Sequence, residues 1–467
     1  MDDLQTRLID RFGKESVWIG EALAGRGSSY LEAAPLKARA LLRPGSTEEV
    51  AEMLRMCNAA AQPVVPQGGL TNLVYSTHTT EADIALTLER MNRVEEIDRL
   101  GGTMTVQSGA TLQKVQQAAE AAGLFFPLDL PARESAVIGG LIGTNAGGLR
   151  VVRYGMMREM VLGLEAVLAN GTVLNSMNKM LKKNAGYDLR QLFIGSEGTL
   201  GVVTQAVLRL WPKQPAAATA LLAVDSFAQV AELLVLSKGR LSGQLTSFEV
   251  LWNGFYRLTT TPPAPSIPPL DPGSDYYVLV ECLGLEQGEE QARMNAMLQQ
   301  AREMSLFTEA VVAQSASQRA ALWRVREDTK QMEAQYWPTF HFDISLPIAA
   351  MEGYLGQIRA ELVGAFGDVK IWIFGHLADG NLHIGLYGSS IRDEDHPRVE
   401  RIVYQPLAAL SGSVSAEHGI GLRKKPYLGL SRTPQEIAVM RQLKAALDPR
   451  GILNPGKIFD PVETSEH

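Results

Sequence analysis

A chain of 467 residues with 46% hydrophobic and 20% charged side chains is too long for one ordinary core and too apolar to be disordered, so it is read as two or three packed globular units. Its net charge of −7, with Lys and Arg spread along the chain, excludes the basic footprint of a duplex nucleic-acid binder and favours a small-molecule substrate. Cys57 and Cys282 lie far apart in no metal-type spacing, which favours free thiols in a reducing compartment over a disulfide scaffold. The opening MDDLQTRLIDRFG lacks an apolar signal region, and no run approaches ~20 uninterrupted apolar residues. A cytoplasmic residence without a transmembrane segment is expected.

In chain order, residues 1–35 read as a helical lead-in, with Leu4, Leu8 and Ile9 at helical spacing before a break at Gly25 to Ser29. From Ala40 short apolar runs alternate with helical ones: ALLRPG, a helix Ser46 to Ala61 capped by Ser46 or Thr47 with Glu49, then PVVPQGG. The stretch 36–213 is rich in glycine-bearing turns and closes on LGVVTQAVLRLWP, read as a strand pair stopped by Pro212. Within 214–430, ALLAVD precedes a helix Ser226 to Leu241, and DYYVLVECLG precedes a helix Glu286 to Met304, which predicts a second sheet covered by helices. The segment 431–467 holds a helix Thr433 to Leu447, an extended DPRGILNPGKIF and a tail SEH. The fold class is α+β.

Three segments share one physical design, backbone N–H groups with no side chain to block them: PQGGLTN (Pro66 to Asn72), IGGLIGTNAGGLRVVRYG (Ile138 to Gly155) and IGSEGTLG (Ile194 to Gly201). Each alone is also what a tight turn between strands looks like. None continues into GK[ST], and none gives G-x-G-x-x-G between a strand and a helix with a downstream acid, so a P-loop or Rossmann reading is poor. Together with PLDL, VLANGTVL, KKNAGYDLRQLFIGSEGTLGVVT and LNPGK, these segments resemble the vanillyl-alcohol-oxidase-type flavoproteins, in their D-lactate and D-2-hydroxyglutarate dehydrogenase branch. The resemblance runs from about residue 40 to residue 459.

It implies a two-subdomain, PCMH-type FAD-binding domain, a substrate or cap domain with an antiparallel sheet, and a C-terminal segment that returns to the FAD domain. It also implies FAD contacts at Gly68, Gly69, Thr71, Asn72, Pro127, Gly139, Gly140, Thr144, Asn145, Gly148, Glu197, Gly198 and Asn454. Where many relatives continue with glycines after the first loop, this chain has Leu73, Val74, Tyr75 and Ser76. No His or Cys lies in the first two loops, so FAD is expected to be held non-covalently.

IWIFGHLADGNLHIGLY, residues 371 to 387, is informative without any resemblance. Asp379-Gly380 between apolar runs predicts a two-residue hairpin loop that pairs His376 with His383. Alternation puts Ile371, Ile373, Leu377, Leu382, Ile384 and Leu386 on a core face, and Trp372, Phe374, His376, His383, Gly385 and Tyr387 on a face resembling a site lining. A hydrogen-bonded structural His–His pair is the plain alternative. Two of the chain's seven histidines on one face, with SVSAEHGIGLRKKPYLG supplying Glu417 and His418 downstream, make a His₂Glu site with open positions attractive.

The resemblance implies that His376, His383 and Glu417 bind a divalent metal, zinc by default, and that His418 is the base. It also implies a substrate site at Arg326, Lys330, His341 and Asn381. Hydride would pass from C2 of a D-2-hydroxy acid to flavin N5, giving a 2-oxo acid. At Lys330, His341 and Gly385 the chain departs from the Thr, Lys and Asn of D-2-hydroxyglutarate-specific relatives, so D-2-hydroxyglutarate stands first with D-lactate, D-malate-like or larger D-hydroxy acids behind. The alternatives are a metal-free oxidase of the same fold, a metal-dependent hydrolase and a non-catalytic flavin-binding module. Electron-transfer flavoprotein or a quinone is expected as the acceptor, and a homodimer as the assembly.

Overall fold

The structure, a computed structural model, describes residues 3–29 and 34–460, so the tail SEH lies outside the described residues. The chain forms two compact units: one takes the residues up to Gly148, Gly155–Lys213 and those from Glu417 onward, the other Leu149–Tyr154 and Gln214–Ala416. The division after Lys213 coincides with the proline stop. The second division falls at Glu417 rather than at residue 431, and Leu149–Tyr154, inside the second glycine segment, belongs to the second unit.

The first unit holds a four-stranded sheet and a five-stranded one. In the smaller sheet Ala40–Leu42 and Val64–Gln67 flank Ile84–Thr87 in parallel, and Val17–Trp18 closes the edge antiparallel to Ala40–Leu42. Between Ala40–Leu42 and Val64–Gln67 runs the helix Thr47–Ala59. Its cap is Ser46, whose side chain accepts from the Glu49 N–H, and it buries Val50, Met53, Leu54 and Cys57. Burial pushes the Cys57 thiol up to about 12, so it is a packing group and not a nucleophile. The larger sheet is antiparallel, ordered Val94–Asp98, Thr103–Gln107, Val202–Arg209, Val161–Val167, Val173–Asn175. LGVVTQAVLRLWP is therefore one bulged strand, not a strand pair; Trp211–Pro212 instead pairs with Leu124–Phe125.

Both ends of the chain share the core of the smaller sheet: Leu4 and Leu8 of helix Asp3–Phe12 pack in one cluster with Ile452 and Leu453. The returning segment lies along Val64–Gln67, with Val64 N–H donating to Ile452 O at 2.8 Å and Asn454 N–H to Val64 O at 2.8 Å. Lys444, near the end of helix Pro434–Leu447, donates to Thr199 O and Leu453 O at 2.7 Å each and to the Asp448 carboxylate. Asp448 in turn accepts from the Ile452 and Leu453 N–H groups at 3.1 and 2.8 Å. The pair is thus a buried clip that sets where Asn454 lies.

The second unit is built on a seven-stranded antiparallel sheet, ordered Glu309–Val312, Ala216–Val224, Tyr276–Gly284, Leu245–Trp252, Val369–His376, Asn381–Gly388, Phe340–Ser345. The two expected strand-plus-helix units are present as Ala216–Val224 with Phe227–Leu241 and Tyr276–Gly284 with Gln287–Glu303. One core cluster joins the sheet through Leu251, Tyr277, Leu279, Trp372 and Phe374 to Phe255, Leu322, Val325 and Met332 of three helices.

Replacing Lys444 with Met would leave the Asp448 carboxylate buried without its cation. Stranding one partner of such a pair costs about 3–5 kcal/mol, so K444M is expected to lower the unfolding free energy by roughly that amount in a urea titration followed by circular dichroism.

Candidate functional site

The hairpin differs from the expected one in a way that preserves its chemistry. His383 lies opposite Phe374, not His376, and the ladder continues Ile373 with Ile384 and Trp372 with Gly385. The connection is a 3₁₀ turn Leu377–Asp379 followed by Gly380 at φ 85°, a left-handed position that suits glycine. Gly375 has no room for a side chain, since a Cβ there would run into the Asn381 carbonyl. The slip is two residues, one full pleat period, so no side chain changes face. The two imidazoles remain neighbours with ring centroids 5.3 Å apart. The upper part of the presumed lining is core: Trp372 and Phe374 are buried in the apolar cluster.

Each histidine faces a carboxylate across the ladder. His376 is in register with Glu249 and His383 with Asp343. His376 Nδ1 lies 2.7 Å from Glu249 Oε1, and His383 Nδ1 lies 3.8 Å from Asp343 Oδ1. A carboxylate at Nδ1 fixes the tautomer and ring orientation of an imidazole, as it does for histidines that bind metals. Glu249 and Asp343 are each 1% exposed. Burial pushes the Glu249 carboxyl up, but the charges and hydrogen bonds of His376 and Arg326 outweigh it and hold the group below its usual range. Neither acid was identified from the sequence. The available signal was a lone carboxylate in an apolar strand, SFEVLW and FHFDIS.

Glu417 follows from the chain itself. Asp343 Oδ2 accepts from the Ala416 N–H at 3.2 Å, and Ser345 and Ser413 exchange backbone hydrogen bonds at 3.1 and 2.7 Å. Glu417 is the next residue, with its Cα roughly 3.8 Å from that of Ala416, and His418 comes after it. The strand that carries the partner of His383 therefore also anchors the entry of the Glu417-His418 pair.

The expected substrate residues fall into two groups. Arg326, in helix Ala316–Glu327, is 5% exposed; its Nε donates to Glu249 Oε2 at 2.7 Å and its guanidinium stacks over the Phe374 ring at 4.6 Å. It thus shares a carboxylate with His376. Asn381 is buried and turned into the sheet, donating to Asp343 Oδ1 and Ile344 O at 2.9 Å each, while its Oδ1 has no hydrogen-bond partner. It braces Asp343. Lys330 is exposed at the start of helix Lys330–Gln335, and His341 is an exposed partner of Glu333 at 3.3 Å. The space where a side chain at Gly385 would stand holds the Met332 thioether.

The glycine segments meet within the first unit. Gly68, Gly69, Thr71 and Asn72 follow the strand Val64–Gln67; Gly139, Gly140 and Thr144 lie in the short helix Ile138–Thr144, and Pro127 is buried beyond Leu124–Phe125. A Cβ at Gly69 would collide with the Ser135 carbonyl and one at Gly148 with that of Asp129, so these glycines permit close backbone approach. Three side chains expected at the cofactor are engaged with backbone: Asn72 Oδ1 accepts from Val74 and Ser76, Asn145 Oδ1 from Arg158, and Glu197 from Ile420 and Gly421. Among buried polar atoms, Gln67 Oε1, Ser108 Oγ and Asn454 Oδ1 have no protein partner. Buried polar atoms in that state require a ligand or water.

Residues 38–176 match the family model of an FAD binding domain, and residues 213–458 match the C-terminal domain of FAD linked oxidases. The chain belongs to the FAD-linked oxidases. A D-2-hydroxyglutarate dehydrogenase of Xanthomonas citri pv. viticola is 39% identical over 90% of this chain and 89% of its own length. The mitochondrial D-2-hydroxyglutarate dehydrogenase of Bos taurus is 39% identical over 90% of this chain and 77% of its own length. The fold is that of p-cresol methylhydroxylase, with a TM-score of 0.78 at 15% identity over 98% of this chain and 96% of that one. The protein is thus an FAD-dependent oxidoreductase of α+β class. No helix among its described residues is long and apolar enough to cross a membrane.

Glu249→Gln would leave Arg326 buried without a full counter-charge, at a cost of about 3 kcal/mol at neutral pH. Because the folded-state pKa of Glu249 lies below the unfolded value, its contribution is present above pH 4.5 and lost as pH falls through the folded value. The stability gap between parent and E249Q, read by urea unfolding, is expected to narrow from pH 7 to pH 4.

Proposed function

We propose that this enzyme oxidises the C2 hydroxyl of a D-2-hydroxy acid to the 2-oxo acid, with non-covalent FAD and one divalent metal held by His376, His383 and Glu417. The observation that carries the reading is the pair of imidazoles, each opposite a buried carboxylate, with the carboxylate of the outer strand, Asp343, also holding the backbone that leads into Glu417-His418. Two imidazoles and a carboxylate suit Zn²⁺, Mn²⁺, Co²⁺ or Fe²⁺, with zinc the first choice.

When bound, the metal supplies Lewis acidity toward the hydroxyl oxygen, and FAD supplies the hydride acceptor. The protein does the rest. Arg326, steadied by Glu249 and Phe374, offers its planar fork to a substrate carboxylate. His418, as the neutral imidazole, takes the hydroxyl proton. Glu249 and Asp343 hold the two metal-binding imidazoles in orientation, and Asn381 and the Ala416 N–H hold Asp343. The glycine loops, with Gln67, Ser108 and Asn454 as polar contacts, would hold the flavin. Electron-transfer flavoprotein or a quinone would take up the electrons, as the family resemblance implies.

The relatives' names put D-2-hydroxyglutarate first among substrates. A shorter or less polar D-2-hydroxy acid, D-lactate among them, is the second reading. It is favoured by the thioether beside Gly385 and by the Glu333 carboxylate that His341 already faces.

Anaerobic addition of D- and L-2-hydroxy acids to the purified enzyme is expected to bleach the flavin with a D-acid alone, and a chelator to stop it. Bleaching that survives the chelator would remove the metal from the mechanism. His383→Ala is expected to lower the rate of flavin reduction at least a hundredfold, with the FAD content of the protein unchanged. Arg326→Lys keeps the charge but loses the fork, so kcat/KM measured with an artificial acceptor is expected to fall about tenfold or more.

A further inference from the structure

Glu197 has an unusual backbone and an unusual set of partners. It is a non-glycine residue at φ 51° in the left-handed region, a conformation that costs roughly 1–2 kcal/mol and persists only where the surroundings impose it. Its N–H donates to Gly143 O at 2.8 Å, and its carbonyl accepts from Asn454 Nδ2 at 2.7 Å. The backbone of Glu197 is therefore gripped by the second glycine segment on one side and by the returning LNPGK segment on the other.

The side chain is committed to a fourth segment. Oε1 accepts from the Ile420 N–H at 2.7 Å and Oε2 from the Gly421 N–H at 2.9 Å. The carboxyl is buried, and there is no space between it and the loop: a Cβ at Gly419 would come within 2.9 Å of it. The same loop is tied at two further points. Asn72 Nδ2 reaches His418 O at 3.5 Å, and Val74 O accepts from Leu422 N–H at 2.9 Å. Burial raises the Glu197 carboxyl to about 7 in spite of the two N–H groups and Lys424, which favour its ionised form. Two N–H donors, one to each oxygen, suit the ionised form, which accepts most strongly at both.

We propose that Glu197 is a positioning residue for His418. Its carboxylate fixes the loop that follows the base, and its backbone locks that loop to the glycine segment and the LNPGK return, so that base and cofactor loops keep one geometry. This assignment rests on the reading of His418 as the base. It differs from the role implied by family resemblance, a direct contact of Glu197 with FAD, because both carboxylate oxygens are spent on the 420–421 backbone.

The test compares the parent holoenzyme with Glu197→Gln, in which one oxygen becomes a donor and faces an N–H group. Amide hydrogen exchange of the 419–422 segment is expected to speed up at least tenfold, while the FAD content and visible spectrum stay those of the parent. With the best D-acid, kcat is expected to fall between about tenfold and a hundredfold, with KM within about twofold. Gly421→Ala, which drives a Cβ into the Val74 carbonyl, displaces the same loop independently and is expected to give the same kcat-only loss, with little further loss in the double variant. E197Q protein that loses FAD but keeps parental exchange in 419–422 would overturn the proposal and return Glu197 to the cofactor. So would an unchanged kcat per bound flavin. Faster exchange in 419–422, with no 2-hydroxy acid reducing even the parent flavin, would uphold the anchoring of the loop and sink the dehydrogenase reading instead. Should E197Q not fold, Glu197→Asp, which keeps the charge but cannot span both N–H groups, takes its place in every measurement.

Discussion

A carboxylate buried in the middle of a sheet has to be paired, because an isolated charge there costs more than the surrounding packing can supply. Glu249 meets that requirement with two partners, His376 on the neighbouring strand and Arg326 on a helix above it. One buried charge thereby holds both an imidazole of the hairpin and a buried guanidinium in place. Asp343 plays the corresponding part on the outer side of the hairpin, receiving Asn381, His383 and the backbone of Ala416. The second unit is in this sense organised around two buried acids.

In the first unit the organising feature is a crossing of backbones. The glycine segments, the strand Val64–Gln67 and the returning Ile452 to Asn454 approach closely enough that side chains would clash at Gly69 and Gly148, while Asn454 and Glu197 bind the carbonyls and N–H groups left over. Several side chains of the cofactor loops therefore hold other loops in place, while Gln67 Oε1, Ser108 Oγ and Asn454 Oδ1 are among the buried polar atoms without a protein hydrogen bond. The Lys444–Asp448 clip belongs to the same scheme, tying a helix near the end of the chain to the loop that carries Glu197 through Thr199 O.

Local pattern made much of this legible. The helices Thr47–Ala59, Phe227–Leu241 and Pro434–Leu447 were located from local pattern, and each is capped within the same stretch of chain, where Ser46, Ser226 and Thr433 accept from N–H groups three residues on. Strand alternation put His376 and His383 on one face correctly, since faces depend only on parity. The hairpin register was not legible. It depends on the close contact at Gly375 and on His376 being claimed by Glu249, a residue more than a hundred positions away. The hydrogen bond from Asn381 to Asp343 was hidden for the same reason, Asp343 lying on another strand.

By itself, then, the sequence determined the α+β class, the family, the division after Lys213 and the shared face of His376 and His383, all of which follow from spacing, periodicity or motif within short windows. Only the tertiary structure decided which acids orient those histidines, that Glu417 and all that follows it leave the sheet unit, and that Met332 fills the space beside Gly385. Pairings across a sheet and the filling of a core bring together residues far apart in the chain, and no local pattern records which distant side chain will supply the compensating charge or volume.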